Sequence, residues 1–234
     1  ALVPAAEAWE RQERFVADAS HELKTPLASM SATLDALVAS PGRTVGEQAR
    51  WTGYLRQDLD EMDGLVRGLV EAARGPVVSA DAGACDASTV ASALVGRLSA
   101  RATARGITLS LSVATGTAVA CGADDLSAIL GELLANAIKY TDEGGSVRIA
   151  AARRGRRVAV SVSNTGPGIA PADVPRVFDR LWRGDAARTR GPGAEGYGLG
   201  LAIARRRAEA LGGSISCESD PGRLTTFTLE LPAR

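Results

Sequence analysis

ELLANAIKYT, Glu132 to Thr141, is the stretch on which the fold turns. It lies in a segment opened by an acidic N-terminus, and Asp124 to Tyr140 reads as one helix. Glu132, Asn136, Lys139 and Tyr140 fall at i, i+4, i+7 and i+8, on one face, with Leu133 and Leu134 pointing away. The oxygens of Glu132 and Asn136 suit Mg²⁺, which keeps waters and takes phosphate oxygens as its other ligands. Lys139 can meet a phosphate as a point charge.

Outward from this helix the chain is mixed. Ala87 to Arg105 reads as a helix, Ile107 to Val113 alternates like a strand, and Thr117 to Cys121 is a short strand. After the helix come strands at Ser146 to Ala152 and Arg157 to Ser163, joined by a basic turn. A helix from Leu199 to Leu211 ends in Gly212-Gly213, and strands at Ser214 to Glu218 and Leu224 to Leu231 close the chain. Clustered strands with helices on one side predict an α+β sandwich rather than a βαβ repeat.

Two Gly-rich stretches belong with the polar helix. NTGPGI, Asn164 to Ile169, follows a strand. Gly166 and Gly168 let a planar base approach the backbone, and Asn164 can accept from an exocyclic amine while donating to a ring nitrogen. GYGLGLAI, Gly196 to Ile203, sets Gly196, Gly198 and Gly200 at alternate positions and runs into a helix, which offers unpaired N–H groups and a positive dipole end to phosphate. The preceding Ala187 to Gly196, Gly-rich and without apolar anchors, reads as a mobile lid.

The N-terminal part is helical. Leu23, Leu27, Met30, Leu34 and Leu37 form one apolar stripe; Trp51, Leu55, Leu59, Met62, Val66, Leu69 and Ala73 form another. Ser40-Pro41-Gly42-Arg43 between them reads as a turn, which makes a helical hairpin. Two helices alone bury little, so a four-helix bundle made by a homodimer is the simplest completion. His21, the only histidine, lies about 200° around the helix from Leu23, on the outer surface, and Thr25 shares that face. Pro26 should bend the helix just beyond. The expected organisation is a hairpin over 1–75, a linker over 76–84 and a second domain over 85–234.

Composition bounds the function. Of 234 residues 45% are hydrophobic, enough for a core. Lys+Arg and Asp+Glu both number 27, and aromatics are 4%, which gives no sign of a nucleic-acid partner. Cys85, Cys121 and Cys217 are odd in number and far apart; they read as small buried hydrophobes in a reducing compartment, not as a disulfide or zinc framework. No apolar run reaches the roughly 18 residues of a membrane span and no signal peptide is visible, so direct membrane insertion is not expected. The opening ALVPAAEAWE reads as the cut end or linker of a longer protein.

In this order the motifs resemble those of two-component sensor histidine kinases. SHELKTPL is similar to their H box, ELLANAIKYT to the N box, NTGPGI to the G1 box, VFDRLWRG (Val177 to Gly184) to the F box and GYGLGLAI to the G2 box. The resemblance covers nearly the whole chain. It implies a dimerisation and phosphotransfer hairpin followed by an ATP-binding domain of the Bergerat type, and the cytoplasmic portion of a bacterial inner-membrane sensor. It further implies Mg²⁺ and ATP as cofactors. Asn136 and Glu132 would face the metal; Asn136, Lys139, Tyr140, Asn164, Gly166, Gly168, Gly196, Gly198, Gly200 and Leu201 would line the nucleotide. His21 would take the phosphoryl group and pass it to an aspartate on a response regulator receiver domain. Glu22 would hold the other ring N–H, Arg183 would neutralise phosphate charge, and Thr25, in an E-x-x-T pattern, would serve the reverse phosphatase reaction. Two residues depart from the pattern. Asn164 replaces the usual Asp that accepts from the adenine amine. Glu132 replaces an Asn and matches the water-activating glutamate of gyrase-like relatives. They leave open a phosphatase-biased or catalytically silent member acting as a dimeric scaffold or binding module, and a gyrase-like ATPase that does not phosphorylate itself.

Overall fold

The computed structural model describes residues 23, 24, 26–39, 44–74, 83–182, 184 and 198–234. These fall into two compact units: one holds the described residues up to 73 and those between 180 and 199, the other Arg74–Asp179 with Gly200–Arg234.

The first unit is helical, with α1 over 26–38 and α2 over Val45–Arg74. Each apolar stripe divides in two. In α1, Pro26, Met30 and Thr33 are buried, while Leu27 and Leu34 are 55% and 51% exposed. In α2, Trp51, Leu55, Asp58, Met62 and Leu69 are half-buried, while Leu59 and Val66 are 55% and 44% exposed. Each stripe thus has a covered flank and an open one. Val38 and Val70 extend the open flanks, so both helices carry exposed apolar residues at i, i+7 and i+11. The Ser40–Arg43 turn and most of the 76–84 linker lie outside the described residues, as does Thr25, the residue before Pro26.

The second unit holds β1 (Cys85–Asp86), α3 (Ala87–Ala104), β2 (Thr108–Val113), β3 (Ala118–Val119), α4 (Ala123–Tyr140), β4 (Ser146–Arg154), β5 (Arg157–Thr165), a 3₁₀ turn (Val174–Arg176), α5 (Gly200–Ala210), β6 (Ser214–Asp220) and β7 (Leu224–Pro232). The five-stranded sheet runs β2-β4-β5-β7-β6, and β1 and β3 make a separate two-stranded ribbon. All pairs are antiparallel except β2 with β4. The sandwich thus contains one β2–α4–β4 crossover, which the expectation of no βαβ repeat did not include. The connection between β2 and β4 carries a whole helix, and a connection of that length permits parallel pairing.

Alternation assigns the sheet faces. Val147, Ile149, Val158, Val160, Val162, Phe227, Leu229 and Leu231 are at or near full burial and point to the helix side. The positions between them in the three central strands include Ser161, Ser163, Thr226 and Thr228, with Ser163 and Thr226 hydroxyls 2.9 Å apart. Against the apolar face α4 buries Leu126, Ile129, Leu130, Leu133, Leu134, Ala137 and Ile138, a stripe at helical spacing that includes the Leu133 and Leu134 expected to point away from the polar face.

Both ends of the helix layer are fixed by polar groups. Asp86 caps α3, accepting from the Ser88 N–H at 2.7 Å. Hydrogen bonds from the Ser88 side chain, and then its backbone, hold the Asp86 carboxyl below its ordinary value. Arg105, the C-cap of α3, donates across to the end of α4: to the carbonyls of Ile138 (2.8 Å), Lys139 (3.3 Å) and Thr141 (3.5 Å). A cation at a helix C-terminus satisfies orphan carbonyls and opposes the dipole. Arg105→Ala is expected to cost about 1.5–3 kcal/mol, read as a thermal midpoint lowered by several degrees; an unchanged midpoint would show that water replaces the guanidinium without loss.

Candidate active site

Three chain segments, far apart in sequence, converge at one end of the second unit. The first is the polar face of α4. Leu133 and Leu134 are 0% and 1% exposed, while Glu132 is exposed and Asn136, Lys139 and Tyr140 are half-buried beside it. The Lys139 ammonium lies 4.7 Å from the centroid of the Tyr140 ring.

The second is the end of β5. Asn164 is only 5% exposed, and its amide nitrogen donates to the Thr165 carbonyl at 3.1 Å. On the sheet's inner face the cross-strand row Leu109, Val147, Asn164, Thr225, Ser219 turns from apolar to polar. Thr225 is 4% exposed, its hydroxyl 2.8 Å from that of Ser219, which accepts from the Ile169 N–H at 2.9 Å. Sequence reading did not single out Thr225 or Ser219. The available signal was parity: Thr225 shares the inward register of Phe227, Leu229 and Leu231, where a hydroxyl is out of place unless something polar meets it.

Close backbone approach ties the segments together. Gly166 has φ +152°, and a Cβ there would overlap the Tyr140 carbonyl at the end of α4. Gly168, φ +74°, sits beside the β6–β7 turn, where the Gly222 N–H donates to the Pro167 carbonyl at 2.9 Å. The third segment is the start of α5. A Cβ on Gly200, its first residue, would overlap the Glu132 carboxylate. Glu132 therefore lies at the positive end of the α5 dipole, with Leu201 next along the helix. In the first unit Gly198, φ +70°, accepts from the Leu181 N–H at 3.0 Å. His21, Glu22, Thr25, Arg183 and Gly196 lie outside the described residues, as does the lid over 187–196.

The donor set is small. No group of three or more His, Cys, Asp or Glu side chains that could hold a metal occurs among the described residues. Glu132 and Asn136, one helical turn apart, fit a Mg²⁺ that draws its remaining ligands from water and phosphate rather than from a protein cage. Among the described residues no helix is long and apolar enough to cross a membrane.

Two family models match: the His Kinase A (phospho-acceptor) domain over residues 11–76, and the histidine kinase-, DNA gyrase B- and HSP90-like ATPase over residues 121–234. The sensor-like histidine kinase SenX3 of Mycobacterium tuberculosis is 36% identical over 221 residues, 94% of this chain and 53% of that protein. The chain thus spans about half the length of the curated relatives it matches. Full-length ShkA, solved in complex with AMPPNP, is similar at 27% identity and TM-score 0.67, over 94% of this chain and 46% of that one. ThkA, solved in complex with the response regulator protein TrrA, shares the fold at 19% identity and TM-score 0.76, over 99% of this chain and 66% of that one. The fold is that of an ATPase unit of the Bergerat class joined to a helical phosphoacceptor unit. The chain belongs to the two-component sensor histidine kinases and comprises their phosphoacceptor and ATPase portion.

Proposed function

We propose that this chain transfers the γ-phosphoryl group of ATP to His21, and from there to an aspartate of a response regulator. The observation that carries the reading is the convergence of Glu132 and Asn136 on α4, Asn164 at the end of β5, and Gly200 at the start of α5. This is the layout a nucleotide needs: a buried polar acceptor for the base and a helix N-terminus for the phosphates.

Asn164 spends its amide nitrogen on the Thr165 carbonyl, so its amide oxygen is the group suited to accept from the adenine amine. That answers for the departure from Asp at this position. Glu132 and Asn136 would hold Mg²⁺, which when bound neutralises phosphate charge. Lys139 adds a cation on the same face, and Arg183 another from the lid side. Neutral imidazole, with an ordinary pKa of about 6.5, leaves His21 nucleophilic near neutral pH. Glu22 would hold the opposite ring N–H, fix the tautomer and balance the charge that develops.

The open flanks Leu27, Leu34, Val38 and Leu59, Val66, Val70 support a homodimer, since a second hairpin would cover them. The organisation we assign is a phosphotransfer hairpin over 1–75, a linker over 76–84 and an ATP-binding domain over 85–234, from the cytoplasmic side of a sensor protein. The deciding experiment is incubation of the chain with Mg²⁺ and γ-labelled ATP. Acid-labile, base-stable label mapped to His21 is expected; release of inorganic phosphate with no label on the protein would favour hydrolysis driven by Glu132.

The reverse activity rests on Thr25. Its hydroxyl, one turn past His21, would orient a water toward the regulator's phospho-aspartate. Thr25→Ala is expected to keep autophosphorylation and to slow loss of label from phospho-regulator by an order of magnitude or more, about 1.4 kcal/mol of barrier. Equal rates, both above the regulator's own decay, would remove Thr25 from the mechanism.

A further inference from the structure

β2 is an edge strand: β4 pairs with it on one side, and among the described residues no strand pairs with it on the other. The Thr108 N–H donates to the Gly145 carbonyl at 2.9 Å, and just past the strand's end the Ala114 N–H donates to the Ala151 carbonyl at 2.9 Å. Backbone groups turn to alternate edges along a strand, so Thr108, Ser110, Ser112 and Ala114 serve β4. Leu109, Leu111 and Val113 therefore turn their N–H and C=O groups to the open edge. Ile107, the next residue back, already spends its N–H on the Ala102 carbonyl at 2.9 Å.

The apolar layer is cut short at the same edge. Leu109 lies beside Val147, Leu111 beside Ile149 and Val113 beside Ala151. Val147 and Ile149 are 0% exposed, whereas Leu109 and Val113 are half-buried and Leu111, mid-strand, is 37% exposed. Open edges are ordinarily blunted by charge, proline or a bulge. Thr108–Val113 has no charged residue and no proline, and its register with β4 runs unbroken. The opposite edge strand, β6, carries Glu218 and Asp220.

We propose that β2 is a self-association surface, on which a second copy of this chain pairs antiparallel through its own β2. The strand is its own complement in one register. A two-fold axis at Leu111 sets Leu111 against the partner's Leu111, Leu109 against the partner's Val113 and Val113 against the partner's Leu109. Every pair then joins residues that face the open edge, and three pairs exchanging two hydrogen bonds each give about six. A slip of two residues either way leaves two such pairs within the strand, and an odd slip sets edge-facing residues against residues committed to β4. The favoured register also keeps the leucines and valines on one side of the joined sheet and Ser110 opposite the partner's Ser112 on the other. Two five-stranded sheets become one continuous sheet. A single strand pair buries less than a standard interface, so the contact is weak, with a dissociation constant on the order of 100 µM. It stands apart from the hairpin reading: it would join hairpin dimers into arrays, and single chains into dimers.

The test compares the 234-residue chain with Leu111→Lys by sedimentation velocity and amide hydrogen exchange. Concentrations run from about 10 µM to about 1 mM, to bracket the expected constant. Lysine on the two-fold axis opposes like charges across the contact, while the exposed position and the untouched β4 ladder leave the fold in place. Wild type is expected to gain an association step that Leu111→Lys lacks. With it, the amides of Leu109, Leu111 and Val113 should exchange several-fold more slowly at the high concentration, while those of Ser110 and Ser112, already bonded to β4, change little. Ser216→Lys, exposed on the other edge strand, should associate like wild type. Equal mass and equal exchange in wild type and Leu111→Lys at every concentration would overturn the proposal. Protection of the three amides at every concentration, with no added mass, would also overturn it, by placing another segment of the same chain on the edge. The wild-type concentration dependence needs no substitution, so a poorly folding variant does not obscure the result.

Discussion

His21→Ala is expected to abolish autophosphorylation while leaving nucleotide binding and dimerisation intact. The chain has one histidine, so no second imidazole can take the phosphoryl group. Other nucleophiles would give bonds of different stability: phosphoserine and phosphothreonine survive acid, and acyl phosphates do not survive base. The nucleotide motifs on α4, at the end of β5 and at the start of α5 all belong to the other compact unit, so ATP affinity should stay within about twofold of wild type, under 0.5 kcal/mol. The measurement is acid-labile, base-stable label after incubation with Mg²⁺ and γ-labelled ATP, beside nucleotide titration of the same preparation. Acid-labile label persisting in His21→Ala would sink the assignment. Phosphate release continuing at the wild-type rate would instead point to Glu132 as a base that activates water, the gyrase-like reading.

The sequence carried the apolar layer of the second unit almost whole. Leu126, Ile129, Leu130, Leu133, Leu134, Ala137 and Ile138 repeat at helical spacing, and Val158, Val160 and Val162 alternate, so burial follows from period alone. The crossover from β2 to β4 was less legible, because alternation in Thr108–Val113 shows a strand without showing its neighbour. The division of the hairpin stripes had the same cause in another form. Leu27 and Met30 are three residues apart on one apolar stripe, yet Met30 is 9% exposed and Leu27 55%. Spacing defines a stripe about 100° wide but not which edge meets the chain's own helices. At the site, the glycines could be read as points of close approach, whereas their targets could not. That Gly200 yields to the Glu132 carboxylate and Gly166 to the Tyr140 carbonyl depends on how β5 and α5 are set against α4.

Asn136→Ala should nearly extinguish phosphohistidine formation without unfolding the chain. Alanine is the best helix former, so α4 keeps its backbone, and Asn136 is half-buried rather than part of the apolar stripe that holds the helix down. What is lost is an amide oxygen one turn from Glu132, whose carboxylate is already held against the first residue of α5. Glu132 alone would leave Mg²⁺ with a single protein oxygen, and the phosphates with less of the neutralising charge that phosphoryl transfer relies on. Loss of one such group costs about 10²–10³ in rate, and a fall of that size is expected in initial label incorporation, with weaker Mg²⁺-dependent nucleotide binding. The thermal midpoint should move little, which separates the role from a structural one. Mixing gives a further reading: Asn136→Ala carries an intact His21, so it should accept label from His21→Ala in mixed dimers if transfer runs between protomers, and stay unlabelled if transfer runs within one. Asn136→Asp, which retains an oxygen and adds charge, should keep more activity than Asn136→Ala. Undiminished incorporation in Asn136→Ala would mean that the polar face of α4 is only solvated surface, and the metal site would have to be sought elsewhere.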